Sequence, residues 1–171
     1  MSLGTTKLCH AAILVKDIEK AVENWSKFLG IAPIPPGIRT IPPHSEVPAF
    51  TDGESSDYSD VKLAAFQLDN VVIELAQPGK NAGPWKDKLD RDGEGLQHLS
   101  FIVPDRRKAQ DALTELGAPA AYHIGYWPGG TYAFTDAVDQ LGVEINIKTD
   151  DDNREKIKKV LADPDSHKAD L

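Results

Sequence analysis

The chain has 171 residues, which is enough for one well-buried core and short for two large domains. Its formal net charge of −8 argues against a nucleic-acid partner, because phosphate binding needs a clustered basic face. The single cysteine, Cys9, excludes an intrachain disulfide, and no apolar stretch resembles a signal peptide or a membrane span, so we expect a cytoplasmic protein without a membrane partner.

The first predicted elements are a strand and an amphipathic helix. Residues 8–15, "LCHAAILV", are apolar apart from His10 and predict a buried strand. Asp17 is a plausible N-cap, apolar residues then recur at helical spacing, and Gly30 suits the helix end. Three strand candidates follow, "GIRTI", "VKLAAFQL" and "VVIELAQ", and the proline-rich residues 33–60 predict a long loop around one short strand.

The same order of elements returns after a linker at residues 79–95. "LQHLSFIV" predicts a strand led by His98, Asp105 is the cap seven residues later, as Asp17 is after His10, and Gly117 ends the helix. "AAYHIGYW", "TYAFTDA" and "GVEINIK" predict three more strands. We interpret this pattern as an internal repeat, with a first module at residues 7–78, a second module at residues 96–148 and a helical tail at residues 149–171.

Polar side chains inside the apolar strands are the candidate functional residues. His10 and His98 occupy matching places, and the last strand of each module carries Glu74 or the pair Glu144 and Asn146. A buried carboxylate is costly unless it is paired or bound to a metal, and imidazole with carboxylate suits Zn, Ni, Co, Mn or Fe(II). The pattern therefore predicts that the two modules hold one divalent metal ion between them.

More ordinary roles remain open for each of these residues. A lone histidine on a strand is more often a core or surface residue than a metal ligand. Glu74 could instead pair with Lys62 on the neighbouring strand. For His44, His123 and His167, solvated side chains are the expectation.

The stretches "LCHAAILVKDIEKAVENWSKFLGI", "VVIELAQP" and "GLQHLSFIVPDRRKAQDALTELG" resemble the glyoxalase / bleomycin resistance / dioxygenase superfamily, also called the vicinal oxygen chelate superfamily. Residues 72–103 are most similar to methylmalonyl-CoA epimerases. The resemblance covers residues 7–148 and implies an α+β fold in which two βαβββ modules form a curved half-barrel sheet with helices outside. It also implies a homodimer and a metal held by His10, Glu74, His98 and one residue of the last strand.

The last ligand position stays open at this stage. Family members have a glutamate four residues after a glycine, and counting from Gly142 puts Asn146 there, whereas aligning "DQLGVE" with the family pattern puts Glu144 there. We favour Glu144, because a buried carboxylate needs a partner and asparagine is a weak ligand.

The resemblance implies a small-molecule substrate and three possible activities. The first is an isomerase, epimerase or lyase that moves a proton next to a substrate carbonyl through a metal-stabilised enolate, with Glu144 or Glu74 as the base. The second is an Fe(II) extradiol-type dioxygenase. The third is a non-catalytic protein that binds small molecules, as in the antibiotic-sequestering members of the superfamily.

Overall fold

The computed structural model describes residues 2–171 and contains one mixed sheet of ten strands. The strands are β1 Leu8–Leu14, β2 Arg39–Thr40, β3 Ala49–Thr51, β4 Glu54–Ser55, β5 Lys62–Gln67, β6 Val72–Gln77, β7 Gly95–Ile102, β8 His123–Trp127, β9 Gly130–Thr135 and β10 Glu144–Lys148. The helices are α1 Ile18–Leu29, α2 Lys86–Asp92, α3 Arg106–Glu115, α4 Val138–Leu141 and α5 Arg154–Ala162. The predicted α+β class, a curved half-barrel sheet with helices, is confirmed.

The two halves of the sheet meet at the centre, where β1 and β7 pair antiparallel. Outward from this pair the strand order is β1-β6-β5-β2 on one side and β7-β10-β9-β8 on the other. The pairs β1–β6 and β7–β10 are both parallel, and the remaining pairs of the two modules are antiparallel. This matched order gives the sheet a pseudo-two-fold arrangement. The domain and repeat bounds proposed from the sequence stay predictions.

Helices α1 and α3 have equivalent places in the two modules and begin with equivalent caps. The carboxylates of Asp17 and Asp105 accept hydrogen bonds from the backbone N–H of Lys20 and Lys108, at 2.9 and 3.1 Å. Each cap satisfies a backbone donor that the first helical turn leaves without a partner. Helix α1 ends at Gly30, whose φ of 70° lies in the left-handed region that glycine tolerates best.

Helices α1 and α3 cover the convex side of the sheet. Ile18 of α1 belongs to a buried cluster with Phe66 and Leu75, and Leu113 of α3 belongs to a second cluster with Ile145. These strand residues alternate with the polar side chains of the same strands, so the apolar contacts of the helices direct the polar side chains to the concave face.

Residues 33–60 contain more regular structure than the sequence predicts. They include β2, and also the short hairpin of β3 and β4, of which β3 pairs with β8 of the other module. Ala49 and Phe50 are buried there, so the segment extends the far edge of the second module. The linker likewise contains helix α2, which the sequence analysis did not predict.

The C-terminal residues form α5 and a 3-10 helix at Pro164–Asp170. Ile157 and Val160 of α5 pack into a cluster with Phe50 and Ile124, so the helix covers β3 and β8. Among residues 2–171, no helix has the length and apolar character that crossing a membrane requires.

Candidate metal centre

Three side chains that are far apart in the sequence converge on the concave face of the sheet. The Nε2 atoms of His10 and His98 lie 2.9 Å apart, and Glu74 Oε1 lies 3.9 Å from His10 Nε2. One ligand atom from each of the three residues lies within 4.8 Å of the others. The structure therefore brings together the two histidines and the first glutamate that the sequence analysis singled out.

The register of the central strands accounts for this convergence. Ala12 of β1 is aligned both with Glu74 of β6 and with His98 of β7, while His10 is aligned with Ser100. Ala12 and Ser100 are fully buried and small, so they leave room on the concave face for the two imidazole rings. The centre thus depends on three strands contributed by both modules.

Burial favours the neutral form of both imidazoles. It lowers the pKa of His10, and it lowers the pKa of His98 well below the usual value. The carboxylate of Glu74 opposes this shift at His10, but burial has the larger effect. Neutral imidazole is the form that binds metal ions, so the protonation state suits ligation.

The geometry of the three donors fits a divalent cation. Ligands of a tetrahedral ion at bond lengths of about 2.0–2.1 Å lie roughly 3.3 Å apart, which falls between the two distances from His10 Nε2 to its neighbours. The buried His98 Nδ1 atom has no hydrogen-bond partner among the described residues, so it is free to carry the ring proton while Nε2 acts as the ligand. His10, Glu74 and His98 could therefore hold the metal that the sequence predicts.

The three residues line a cavity of about 460 Å³. Most of its wall is apolar or aromatic, and it includes Trp85 from the linker and Trp127, Tyr132 and Phe134 from the second module. A largely apolar cleft with a few converging polar groups is the usual form of a small-molecule site. Arg39, Lys148 and Asn146 add polar groups to the wall.

Asn146 faces this cavity and is held by two hydrogen bonds. Its Oδ1 atom accepts a hydrogen bond from Ser100 Oγ at 2.8 Å, and its Nδ2 atom donates one to the carbonyl of Ala133 at 3.3 Å. Its register partner is Ser100, as Ala12 is the register partner of Glu74. Asn146 is therefore the positional counterpart of Glu74 in the second module.

Glu144 lies in a neighbouring cavity, together with Thr51, Tyr122 and Asp136. Its side chain is 3% exposed, Oε1 accepts a hydrogen bond from Tyr122 at 3.2 Å, and Oε2 is buried without a partner among the described residues. Burial raises the pKa of its carboxyl group. The structure does not bring Glu144 into the group formed by His10, Glu74 and His98.

Other sequence expectations about polar residues are corrected. His123 and His167 are buried, contrary to the expected solvated side chains, because the rings of Tyr58, Trp85 and Phe134 surround His123 and the ring of Phe50 stacks on His167. Lys62 pairs with Glu19 at 2.6 Å rather than with Glu74. The cation nearest to Glu74 is Arg39, with Nη2 at 3.7 Å from Oε2.

Lys148 and Trp85 also line the cavity, although no sequence pattern assigned them to the site. Lys148 lies two residues after Asn146 on β10, so strand alternation places both on the same face, and this spacing could have revealed it. Trp85 comes from the linker just before α2, where no periodic pattern predicts the direction of its side chain.

Comparisons with known proteins agree with this fold. The family model described as Glyoxalase/Bleomycin resistance protein/Dioxygenase superfamily matches residues 9–134. The uncharacterized protein YqjC of Bacillus subtilis is 26% identical over 109 residues, and the match covers 64% of this chain and 66% of YqjC, so the chain spans just under two thirds of that relative.

Solved structures resemble the chain over most of its length. Methylmalonyl-CoA epimerase from Mycobacterium tuberculosis has a TM-score of 0.59 at 21% identity, covering 88% of this chain and 91% of that one. A Streptomyces coelicolor methylmalonyl-CoA epimerase in complex with 2-nitronate-propionyl-CoA has a TM-score of 0.58 at 18% identity, covering 85% of this chain and 94% of that one. At these identities the likeness concerns the fold.

Proposed function

Because the chain belongs to the Glyoxalase/Bleomycin resistance protein/Dioxygenase superfamily, we propose that it is a divalent-metal-dependent isomerase, epimerase or lyase that moves a proton next to a carbonyl of a small-molecule substrate. The observation that carries the proposal is the convergence of His10, Glu74 and His98 on the wall of an apolar cavity. Methylmalonyl-CoA epimerases among the structural neighbours support this reaction class.

His10, Glu74 and His98 would hold the ion, and a divalent ion held there would supply Lewis-acid stabilisation for negative charge on a substrate carbonyl oxygen. The proton transfer is assigned to Glu74, since it is the only carboxylate among the described residues that line the cavity. Glu74 has two oxygens, so Oε1 can face the histidines while Oε2 faces the substrate. The aromatic wall makes this end of the cavity apolar, which would limit the access of water to the substrate carbanion.

We propose that Asn146, and not Glu144, occupies the fourth protein ligand position around the metal ion. Asn146 lines the cavity and matches Glu74 by register, whereas Glu144 lies in the neighbouring cavity. An amide oxygen is a weak ligand, so Asn146 would leave this position open to substrate oxygen.

Glu144 is proposed as a hydrogen-bond partner of His98, one of the three candidate metal ligands. It is the register neighbour of His98 on the same face of the sheet, and both His98 Nδ1 and Glu144 Oε2 are buried without a partner among residues 2–171. A ligating histidine commonly donates its other N–H to a carboxylate, which orients the ring. The two atoms are not hydrogen-bonded to each other in the structure, so a rotation of the Glu144 side chain would be needed for its carboxylate to accept this hydrogen bond.

Cobalt titration separates these roles of Asn146 and Glu144. Glu144→Gln is expected to weaken Co²⁺ binding by about 10- to 100-fold and to leave the visible absorption bands of the bound ion in place. Asn146→Ala is expected to shift those bands, because it changes the groups around the ion. Shifted bands in Glu144→Gln together with unchanged bands in Asn146→Ala would reverse the two assignments.

Deuterium exchange tests the reaction. The metal-loaded protein, in D₂O, is incubated with methylmalonyl-CoA and with the hemithioacetal of methylglyoxal and glutathione, and exchange at the acidic carbon is followed by NMR. We expect exchange with at least one substrate, and its loss in Glu74→Gln and after metal removal. Metal-loaded protein that exchanges neither substrate would count against the proposal.

An Fe(II) dioxygenase is the second candidate, because two histidines and one carboxylate form the ligand set typical of non-haem Fe(II) oxygenases. Oxygen uptake by the Fe(II)-loaded protein in the presence of catechols distinguishes it from the first. A protein that binds no divalent ion at all would favour the third activity, non-catalytic binding of a small molecule. The homodimer implied by the resemblance stays a prediction.

A further inference from the structure

Two cations flank the candidate metal centre from opposite modules. Arg39 of β2 and Lys148 of β10 both line the cavity that contains His10, Glu74 and His98. The guanidinium of Arg39 approaches Glu74 at 3.7 Å, which is beyond hydrogen-bond distance, so its N–H groups remain available for another acceptor. Lys148 forms no ion pair with any residue of the described range 2–171.

The position of Lys148 is unusual for a lysine. Its ammonium lies 4.7 Å from the centre of the Trp127 ring, and it lines the same cavity as His10 and His98. The corresponding residue of the first module, two places after Glu74, is the buried Ala76. The second module therefore introduces a positive charge beside the centre where the first has a methyl group.

This local charge is opposite to the charge of the whole protein. The chain carries a formal net charge of −8, which repels anions at long range, whereas the polar end of the cavity presents two cations and one carboxylate. Metal binding would add further positive charge there. The rest of the wall is apolar and aromatic, with Trp85 and Phe134 among its members.

From these observations, and resting on the proposed function, we infer that the substrate is an amphipathic anion: a carboxylate beside a carbonyl, held between Lys148 and Arg39, with an apolar group against the aromatic wall. Arg39 would bind the carboxylate with two parallel N–H donors, and Lys148 would supply a single charge. The two residues would thus determine which end of the substrate faces Glu74.

Calorimetric titration with phenylpyruvate and its methyl ester tests this inference. The two probes share the carbonyl and the aromatic ring and differ in the negative charge. We expect phenylpyruvate to bind at least about 10-fold more tightly than the ester, in the metal-free and in the Zn²⁺-loaded protein. A parallel titration with methylmalonyl-CoA asks whether an acyl-CoA can supply the same carboxylate.

Lys148→Met is the decisive variant, because methionine retains an apolar stem against Trp127 and removes only the charge. We expect it to weaken phenylpyruvate binding by about 10-fold and to leave binding of the ester unchanged. Arg39→Gln is expected to act in the same direction. Lys20→Met and Arg107→Gln remove the same charges from exposed positions on α1 and α3 and should change neither affinity.

Equal affinity for acid and ester, or an undiminished affinity in Lys148→Met, would overturn the inference, and so would an absence of binding by both phenylpyruvate and methylmalonyl-CoA. The comparison of metal-free with Zn²⁺-loaded protein distinguishes a failure of this inference from a failure of the proposed metal-dependent reaction. A metal-free protein that prefers the acid, but that binds no Zn²⁺, would keep the anion site and reject the metal-dependent function. Tight Zn²⁺ binding without a preference for the acid would do the reverse.

Discussion

The two modules share a backbone plan but differ in the side chains they place on the concave face. Each contributes one histidine from its first strand, at positions related by the antiparallel pairing of β1 with β7. On the last strand the first module has Val72, Glu74 and Ala76 where the second has Glu144, Asn146 and Lys148. The candidate carboxylate ligand Glu74 thus comes from one half, and Lys148, which lines the same cavity, comes from the other.

The outer strands differ in a similar way. Ala65 and Leu63 are paired with the last strand of the first module, and the matching positions of the second module are Phe134 and Tyr132. One half therefore supplies a compact wall that ends at Arg39, and the other supplies an aromatic wall. The comparison indicates that the sheet and the histidine pair are common to both modules. The side chains that differ between the modules give the cavity a compact end near Arg39 and an aromatic end.

The largest expected effect tests the part that the modules share. His10→Ala and His98→Ala each remove one nitrogen ligand, so we expect Zn²⁺ affinity to fall by more than about 100-fold in both. Competition with a chromophoric chelator measures the two dissociation constants. His44→Ala, outside the ligand group, is the control, and wild-type affinity in either ligand variant would contradict the shared site.

The next effect tests the asymmetry of the last strands. Glu74→Gln removes the negative charge from the ligand set and is expected to weaken Zn²⁺ binding by about 100-fold, whereas Asn146→Ala should weaken it by about 10-fold or less. The same chelator assay applies. If Asn146→Ala lost more Zn²⁺ affinity than Glu74→Gln, Asn146 would be the stronger ligand of the two last strands and the proposed asymmetry would be reversed.

A third prediction concerns His123, a buried histidine of the second module outside the ligand group. Burial lowers its pKa from 6.5 to about 3, and the ring contacts Tyr58, Trp85 and Phe134. Below pH 6.5 the unfolded chain binds a proton here that the folded protein excludes, so stability is lost as the pH falls from about 6.5 towards 3.

At pH 5 this histidine should account for about 2 kcal/mol of the lost stability. His123→Phe removes the titrating group and keeps an aromatic ring, so urea unfolding of this variant should lose about 2 kcal/mol less between pH 7 and pH 5 than the wild type loses. An equal loss in both proteins would show that His123 does not contribute.

The smallest effect compares the helix caps of the two modules. Asp17→Ala and Asp105→Ala each leave one backbone N–H without its partner and are expected to lower the free energy of unfolding by about 1 kcal/mol. Urea denaturation measures both. Asp111→Ala, at an exposed position within α3, should change stability by less than about 0.5 kcal/mol. A large difference between the free energies of unfolding that Asp17→Ala and Asp105→Ala lose would contradict the equivalence of the two caps.

Local patterns account for the elements that the sequence predicts well. The apolar runs in "LCHAAILV" and "LQHLSFIV", the aspartate caps and the glycines after α1 and α3 are properties of neighbouring residues, and they appear in the structure as predicted. The hairpin of β3 and β4 was missed because β3 pairs with β8, more than 70 residues further along the chain. A strand of three residues has too little periodicity to be recognised without that partner.

The sequence by itself predicted the main strands and helices and indicated His10, Glu74 and His98 as candidate ligands, because these depend on short-range periodicity and on residue chemistry. The fold class was implied by the resemblance to the superfamily. The sequence offered both Glu144 and Asn146 for the last position, since residues two apart on a strand share a face, and residue chemistry alone favoured Glu144. Only the tertiary structure distinguished their surroundings. The register between strands and the curvature of the sheet direct Asn146 and Lys148 into the cavity of the histidines and Glu144 towards Tyr122 in the next one. Contacts between distant segments decide such directions, and no local pattern contains them.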